Sequence, residues 1–506
     1  MKGKKLFALL LAFVMSLSLC ACWEEEEDDE FWNESLPDDQ GEKIVEMQIS
    51  DFALPYLPSQ TLDPISCIDG VQQTIGALLY EGLFATGENF LLQKVLCREY
   101  IYDAEKRTYT FSLRENVTFS DGSPLTVSDV LATYRRAAAS ERYSARFAAV
   151  SSMQLSDNAL VITLSQDNSA FPSLLDIPIV KSGSEKDLIP LGTGPYLFLT
   201  DSEGACLIQN TDWWGTADFP LERIPLVSAR DNSTASYLLS SCDVHLLVSD
   251  LTGTVAAGNI GEIDVFDAAG TTMLYMGFNT QRTLLSDSTV RRAMSSAINR
   301  FSIVSTLLSG HAQAAQFPLS PAVPLYPSDL PTSDIDYPQA LANAGLGSKH
   351  SRTLTLLVNE ENAFKCSVAE ALCRQLSTDA LDVTLKILPW ESYLFALQSG
   401  NFDLYLGEAK LTVDWNAASL IGSAGNLNYG GYADAKMDEL LSAFLACENE
   451  TTAKAYLRYF AQTAPIAPIA FKSVSTQISA GLAENVRPTA SNPFYNLDRW
   501  TLHLDQ

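Results

Sequence analysis

From Tyr109 to Val130 the chain reads YTFSLRENVTFSDGSPLTVSDV, and its apolar positions change period along the way. Tyr109, Phe111 and Leu113 alternate with Thr110, Ser112 and Arg114, which predicts a half-buried strand. Arg114-Glu115-Asn116 predicts a turn, and Val117 and Phe119 continue as the apolar side of a second strand. Asp121-Gly122 closes it, glycine supplying the positive φ of such a turn. Thr126 and Asp129 have capping-box spacing, and Val127, Val130, Leu131 and Tyr134 then fall at helical intervals. Farther along, Val290, Ala293, Met294, Ala297 and Ile298 form one helix face, with Asp287 as N-cap, Arg291 and Arg292 facing away and Gly310 as the stop. The short apolar run Leu354 to Val358, the helix face Val368, Ala371, Leu372 and Leu376, and the alternation Val383, Leu385, Ile387 make a βαβ unit. Alternating strands and helices over 506 residues exceed one ordinary core, so two or more domains are expected.

The first residues follow a different pattern. Lys2, Lys4 and Lys5 precede an apolar stretch, Leu6 to Leu19, that is too short for a stable membrane span, as in a signal peptide over 1–21. Leu19-Cys20-Ala21-Cys22 looks like a bacterial lipobox, with Cys22 as the lipidated residue because the small Ala21 precedes it. Glu24 to Glu30 reads EEEEDDE, and polar residues continue to about Glu42. Like charges and scarce apolar surface make 22–42 an acidic tether. Nothing after residue 20 offers a continuous apolar run long enough to span a bilayer.

Composition mostly excludes. A net charge of −28 argues against nucleic-acid binding, which needs a basic surface, while remaining compatible with cationic or zwitterionic ligands. Of nine cysteines, Cys20 leaves with the leader and Cys22 is lipidated. Cys67, Cys97, Cys206, Cys242, Cys366, Cys373 and Cys447 remain, without a CxxC, so neither a disulfide framework nor a zinc site is indicated. The four histidines, His245, His311, His350 and His503, are scattered. No GxSxG elbow, Walker loop or dinucleotide fingerprint occurs, so no catalysis, cofactor or metal is expected.

The Tyr109–Val130 string resembles the "tytFkLRdgvkFsdGtplTaeDV" segment of extracytoplasmic solute-binding protein family 5, the peptide- and nickel-binding components of ABC importers. Leu62-Asp63-Pro64 with Leu78 to Leu83 looks like that family's "lDP … lyegL" beginning, and Gly192 to Tyr196 is its "GTGPY" turn. Asn210 to Gly215 is similar to its "N..yw." segment, and Met276 to Leu308 to its "fN … d.rVRqAl..AiDR" region. Gly400 to Asp403 and Asn428 to Asp438 resemble "G.fD" and "n..gy.n..vD". The resemblance covers roughly residues 45–506. It departs at Asn299 (for Asp in "AiDR"), at Leu96 to Tyr100 and at Ser241-Cys242-Asp243, which suggests a divergent member.

The resemblance implies an α/β, two-lobe periplasmic-binding-protein-like fold (type II, cluster C-like) with an extra subdomain inserted in lobe one. Projected here, lobe one takes 43–75, 186–268 and 476–506, the inserted subdomain 76–185 and lobe two 269–475. It also implies a monomeric receptor, lipid-anchored outside the cell membrane, that captures a short peptide or other small solute by hinge closure and hands it to ABC permease subunits. Alternatives are a peptide-sensing co-receptor, a nickel-chelate binder or, least, an extracytoplasmic hydrolase. Peptide-binding relatives anchor the ligand's ammonium on an Asp in a "DW" segment, which Asp414-Trp415 matches. Helix capping by Asp414 and core packing of Trp415 are the competing reading. Met276 to Asn279 and Tyr405 to Glu408 are candidate main-chain partners. Tyr196, Tyr275, Trp390, Trp415 and Tyr429 are candidate pocket walls, each also suited to a core.

Overall fold

A computed structural model describes residues 50–253, 262–330 and 335–504. The expected leader 1–21, Cys22 and the tether 22–42 lie outside the described residues. In lobe one, strand Leu54–Tyr56 runs parallel to Arg223–Ser228, which continues through antiparallel neighbours Gly204–Gln209 and Tyr196–Asp201. Helix Gly70–Leu79 begins where the Asp69 carboxylate accepts from the Val71 and Gln72 amides. Its Ile75, Leu78 and Leu79 pack with Phe52, Leu54, Tyr196 and Trp500.

The Tyr109–Val130 segment belongs to a separate core. Strand Thr108–Leu113 pairs antiparallel with Cys97–Asp103 and Ala159–Leu164, and Tyr109 and Phe111 are buried with Val130 and Tyr134 of helix Val127–Ala138. The capping box forms between Thr126 and Asp129. The expected second strand does not: only an isolated bridge, Thr118 to Pro124, follows the turn. Burial of Val117 and Phe119 satisfies the apolar pattern without a ladder, and Pro124 lacks the amide to extend one.

Three segments that resemble family motifs converge where this core meets lobe one. The Glu81 carboxylate accepts from Thr193 Oγ1 at 3.0 Å, Trp213 Nε1 at 3.2 Å and Trp214 Nε1 at 2.8 Å. The Arg114 guanidinium stacks on Trp214 at 4.7 Å. Burial pushes the Glu81 carboxyl up to about 7 despite its three donors.

Two long antiparallel strands, Ile263–Phe278 and Ile466–Ser479, carry the chain into lobe two. The expected lobe changes at 268/269 and 475/476 fall inside them. Two register shifts interrupt their ladder, and the second lies beside Pro468, where a residue without an amide is tolerated. The sheet runs Leu246–Ser249, Ile466–Ser479, Ile263–Phe278, Leu404–Lys410, Arg352–Asn359, Leu381–Leu388. Strand Arg352–Asn359 is parallel to both neighbours, and helix Ala363–Leu376 completes the expected βαβ unit.

Helix Ser288–Ala297 is capped by Asp287 and buries Val290, Ala293 and Met294, as its spacing predicts. Arg291 does not face away. It is only 4% exposed, and its guanidinium donates to the carbonyls of Ala464 (2.9 Å), Thr463 (2.6 Å) and Leu285 (2.8 Å). It thereby satisfies the C-terminal end of helix Glu450–Thr463, a partner that helical periodicity cannot reveal.

Glu81 generates a test. Its folded value lies above the unfolded one of about 4.3, so its stabilising contribution is fully present below about pH 4 and is lost as pH rises through about 7. Melting temperature is expected to fall between pH 5 and 8, and Glu81→Gln, neutral at every pH, should flatten that fall. Parallel curves for the two proteins would refute the assignment.

Candidate functional site

Strand Arg352–Asn359 lies between Leu381–Leu388 and Leu404–Lys410. The connection from its own carboxyl end goes to Leu381–Leu388, whereas the chain leaving Leu404–Lys410 goes the other way, toward Ile466–Ser479. Such a switch point opens a crevice at the strand ends. Beyond Leu357↔Tyr405 no ladder pair joins Arg352–Asn359 to Leu404–Lys410. A cavity of about 590 Å³ lies there. Asn359 ends the central strand and Glu361 and Asn362 follow it, Trp390 follows Leu381–Leu388, and Gly407 and Glu408 come from the third strand.

Aromatic rings form its wall. In the antiparallel register Tyr275 lies opposite Gly407 and Gly277 opposite Tyr405. Each ring therefore covers a glycine. A Cβ on Gly277 would lie 2.0 Å from the Tyr405 ring, and one on Gly407 would lie 2.8 Å from that of Tyr275. The two rings meet edge to face at 5.8 Å, with hydroxyls 3.4 Å apart. Tyr393, Tyr429 and the 50% exposed Trp390 complete the aromatic lining. Burial pushes the Tyr275 hydroxyl up to about 12 and Tyr429 upward as well.

Charged groups surround this wall. Lys365 is buried, donates to Asn359 Oδ1 at 2.6 Å and sits 5.5 Å over the Tyr393 ring; burial lowers its pKa. Lys472 pairs with Asp250 at 2.6 Å and Glu408 at 3.3 Å. Lys472 and Asn362 both donate to the Thr252 carbonyl, tying the cavity floor to the segment after strand Leu246–Ser249. Glu361 accepts from the Trp390 amide at 2.6 Å and Asn359 Nδ2 at 2.8 Å.

Asp414 and Trp415 lie elsewhere, at a contact between the inserted subdomain and lobe two. Asp414 is 3% exposed. Its Oδ2 accepts from Asn168 Nδ2 at 2.8 Å, and its Oδ1 from Thr412 Oγ1 and, at 3.4 Å, the Asn416 amide. It does not cap the following helix. That helix spans Ala418–Ile421, and Asn416 accepts from the Ala418 amide. Trp415, 1% exposed and at φ +55°, packs edge to face on Phe471 and on Phe90 of the subdomain. Ser169 continues the junction through the Leu445 carbonyl and the Glu448 amide. Burial, with Asp414 nearby, pushes the Glu448 carboxyl up to about 7.

The remaining candidates have structural partners. Asn279 donates to the carbonyls of Gly400 (3.2 Å) and Phe402 (2.8 Å) and accepts from the Gln281 amide, closing a loop. Tyr196 is buried in the lobe-one core, with its hydroxyl on the Leu221 carbonyl at 2.6 Å. Of the seven nominated ligand residues, Tyr275, Trp390 and Tyr429 meet in the cavity. Sequence reasoning missed Asn359, Glu361, Asn362 and Lys365. Their signal was position: they end or directly follow the first strand of the βαβ unit, where a switch point would place a site.

Residues 92–430 match the family described as bacterial extracellular solute-binding proteins, family 5 middle. The chain belongs to this family. It is 23% identical to the oligopeptide-binding protein AppA of Bacillus subtilis (strain 168) over 557 residues, covering 99% of this chain and 100% of AppA. The structure of HbpA2 from Haemophilus parasuis covers 90% of this chain and 100% of its own, at 20% identity and a TM-score of 0.74. A nickel ABC transporter structure from Bacillus halodurans covers 88% of this chain and 98% of its own, at 20% identity and a TM-score of 0.71. These structures share the two-lobe fold with this family 5 protein. The family comprises extracytoplasmic solute-binding proteins of ABC transporters and is one of binding proteins, not enzymes.

The reciprocal Tyr–Gly pairs make a sharp prediction. Gly277→Ala drives a methyl into the Tyr405 ring and is expected to cost about 1–3 kcal/mol of unfolding free energy by urea titration. It should also alter near-ultraviolet circular dichroism from the displaced tyrosines. An unchanged spectrum and midpoint would show that the ring does not rest on the glycine.

Proposed function

We propose that this family 5 protein captures a short peptide in the lobe-two cavity and delivers it to ABC permease subunits. The observation that carries this reading is the splayed strand Leu404–Lys410. Past Tyr405 its edge toward Arg352–Asn359 has no ladder partner, and aromatic walls flank it. An extended peptide can add its main chain to such an edge while side chains enter alternate pockets, which gives affinity without strict sequence choice. The similarity to an oligopeptide-binding protein over the whole chain supports a peptide over a nickel chelate.

In this reading the peptide runs along Leu404–Lys410 out of the cavity toward Asp414, four residues past that strand, and Asp414 holds its ammonium. The Asn168 amide, which donates to the same carboxylate, leaves a second acceptor position on Oδ2 and would bring the inserted subdomain onto the ligand. Contacts from both sides favour the state in which the lobes meet, so the ligand shifts the population toward it. The protein works as a monomer, held at the outer face of the cell membrane through lipid on Cys22.

Binding should change tryptophan emission, because Trp390 lines the cavity half exposed. It should also raise the melting temperature by several degrees at ligand concentrations about a hundredfold above Kd. Mass spectrometry of the recovered ligand should find it intact. Silence of both signals across a broad panel of di- to nonapeptides, with a response to nickel–histidine, would move the assignment to metal chelates. Cleaved peptide would move it to a hydrolase.

A further inference from the structure

We propose that the lobe-two cavity selects peptides carrying a basic side chain, and that Glu361 reads the charge. The inference rests on the cavity being the peptide site. Glu361 is held in place by the Trp390 amide at 2.6 Å and Asn359 Nδ2 at 2.8 Å, yet no cation pairs with it among the described residues. These hydrogen bonds, with a smaller contribution from the Lys365 ammonium, keep the carboxyl below its usual range. A carboxylate accepts up to about four hydrogen bonds, so each oxygen retains a free acceptor position.

The other charges at the cavity are already engaged. Lys365 gives its ammonium to Asn359 Oδ1 and the Tyr393 face. Glu408 and Asp250 share Lys472. The cavity lining carries two carboxylates, Glu361 and Glu408, and one ammonium, Lys365. Glu408 pairs with Lys472, whereas Glu361, which Lys365 influences only through space, has no ion-pair partner among the described residues and lies beside the half-exposed Trp390. A carboxylate next to an open aromatic face is the arrangement that holds an ammonium or guanidinium, by charge-assisted hydrogen bonding and by cation–π attraction. An acidic side chain would meet the unmatched negative charge, and an apolar one would leave it unanswered. The chain's net charge of −28 also draws cationic ligands toward it.

The structural role of Glu361, holding the first amide of helix Trp390–Gln398, is separable from its charge, because Glu361→Gln keeps an acceptor for that amide. Calorimetry with alanine tetrapeptides should compare lysine, arginine, norleucine, Nε-acetyl-lysine and glutamate at each position in turn. At one position lysine or arginine is expected to bind about tenfold more tightly than norleucine or acetyl-lysine. The advantage should shrink as salt rises, and Glu361→Gln should reduce it to about twofold or less. Equal affinities for lysine and norleucine at every position would overturn the proposal while leaving the peptide reading intact. So would a preference that survives Glu361→Gln, or one lost on acetylating the peptide's N-terminus instead of its side chain. Failure of every peptide to bind would remove the peptide reading and this inference together. If Glu361→Gln does not fold, judged by its melting curve, the wild-type peptide comparison decides alone.

Discussion

One backbone ladder links the two lobes, the antiparallel pairing of Ile263–Phe278 with Ile466–Ser479. At one end it recruits Leu246–Ser249 of lobe one, and at the other Leu404–Lys410 of lobe two. Slipping it by one residue would send Leu274, Met276 and Phe278 to the face now held by Met273 and Tyr275, exchanging two cores at once. The register is therefore fixed by burial on both faces. Of its two irregularities, the one between Ala269 and Met273 precedes most of the stretch paired with Leu404–Lys410, and the one between Leu274 and Tyr275 lies within that stretch, beside Pro468.

The cavity follows from that register. Because Tyr275 and Tyr405 each lie across from a glycine, two large rings fit side by side on a surface that two β-carbons would otherwise occupy. The third strand then diverges from its parallel neighbour, and the groups at the strand ends turn toward the opening. Asn359, Asn362 and Lys365 are buried polar residues, and each is satisfied: Lys365 by Asn359, Asn362 by the Thr252 carbonyl. Glu361 lies exposed beside this satisfied network and makes no ion pair among the described residues.

A second polar centre lies where the inserted subdomain meets lobe two. Asn168, Ser169 and Phe90 reach Asp414, Leu445, Glu448 and Trp415. Glu81 is a carboxylate locked between two indoles and a threonine that fastens the subdomain to its own lobe.

Much of this was legible in the residues. The alternation at Tyr109–Leu113, the capping box at Thr126–Asp129, the helix face from Val290 to Met294 and the βαβ unit after Leu354 all form, because each depends on neighbours within one strand or one helical turn. The ordered series of motifs also sufficed to name the family. Arg291 was misread because its partners, Thr463 and Ala464, lie far along the chain. Asn279, Tyr196 and Trp415 have the right composition for a binding site, yet long-range packing assigns them carbonyls and cores. Sequence by itself determined the local elements and the family. Only tertiary structure decided which side chains share a cavity, since that depends on strand order and cross-strand register, and neither is encoded in local spacing.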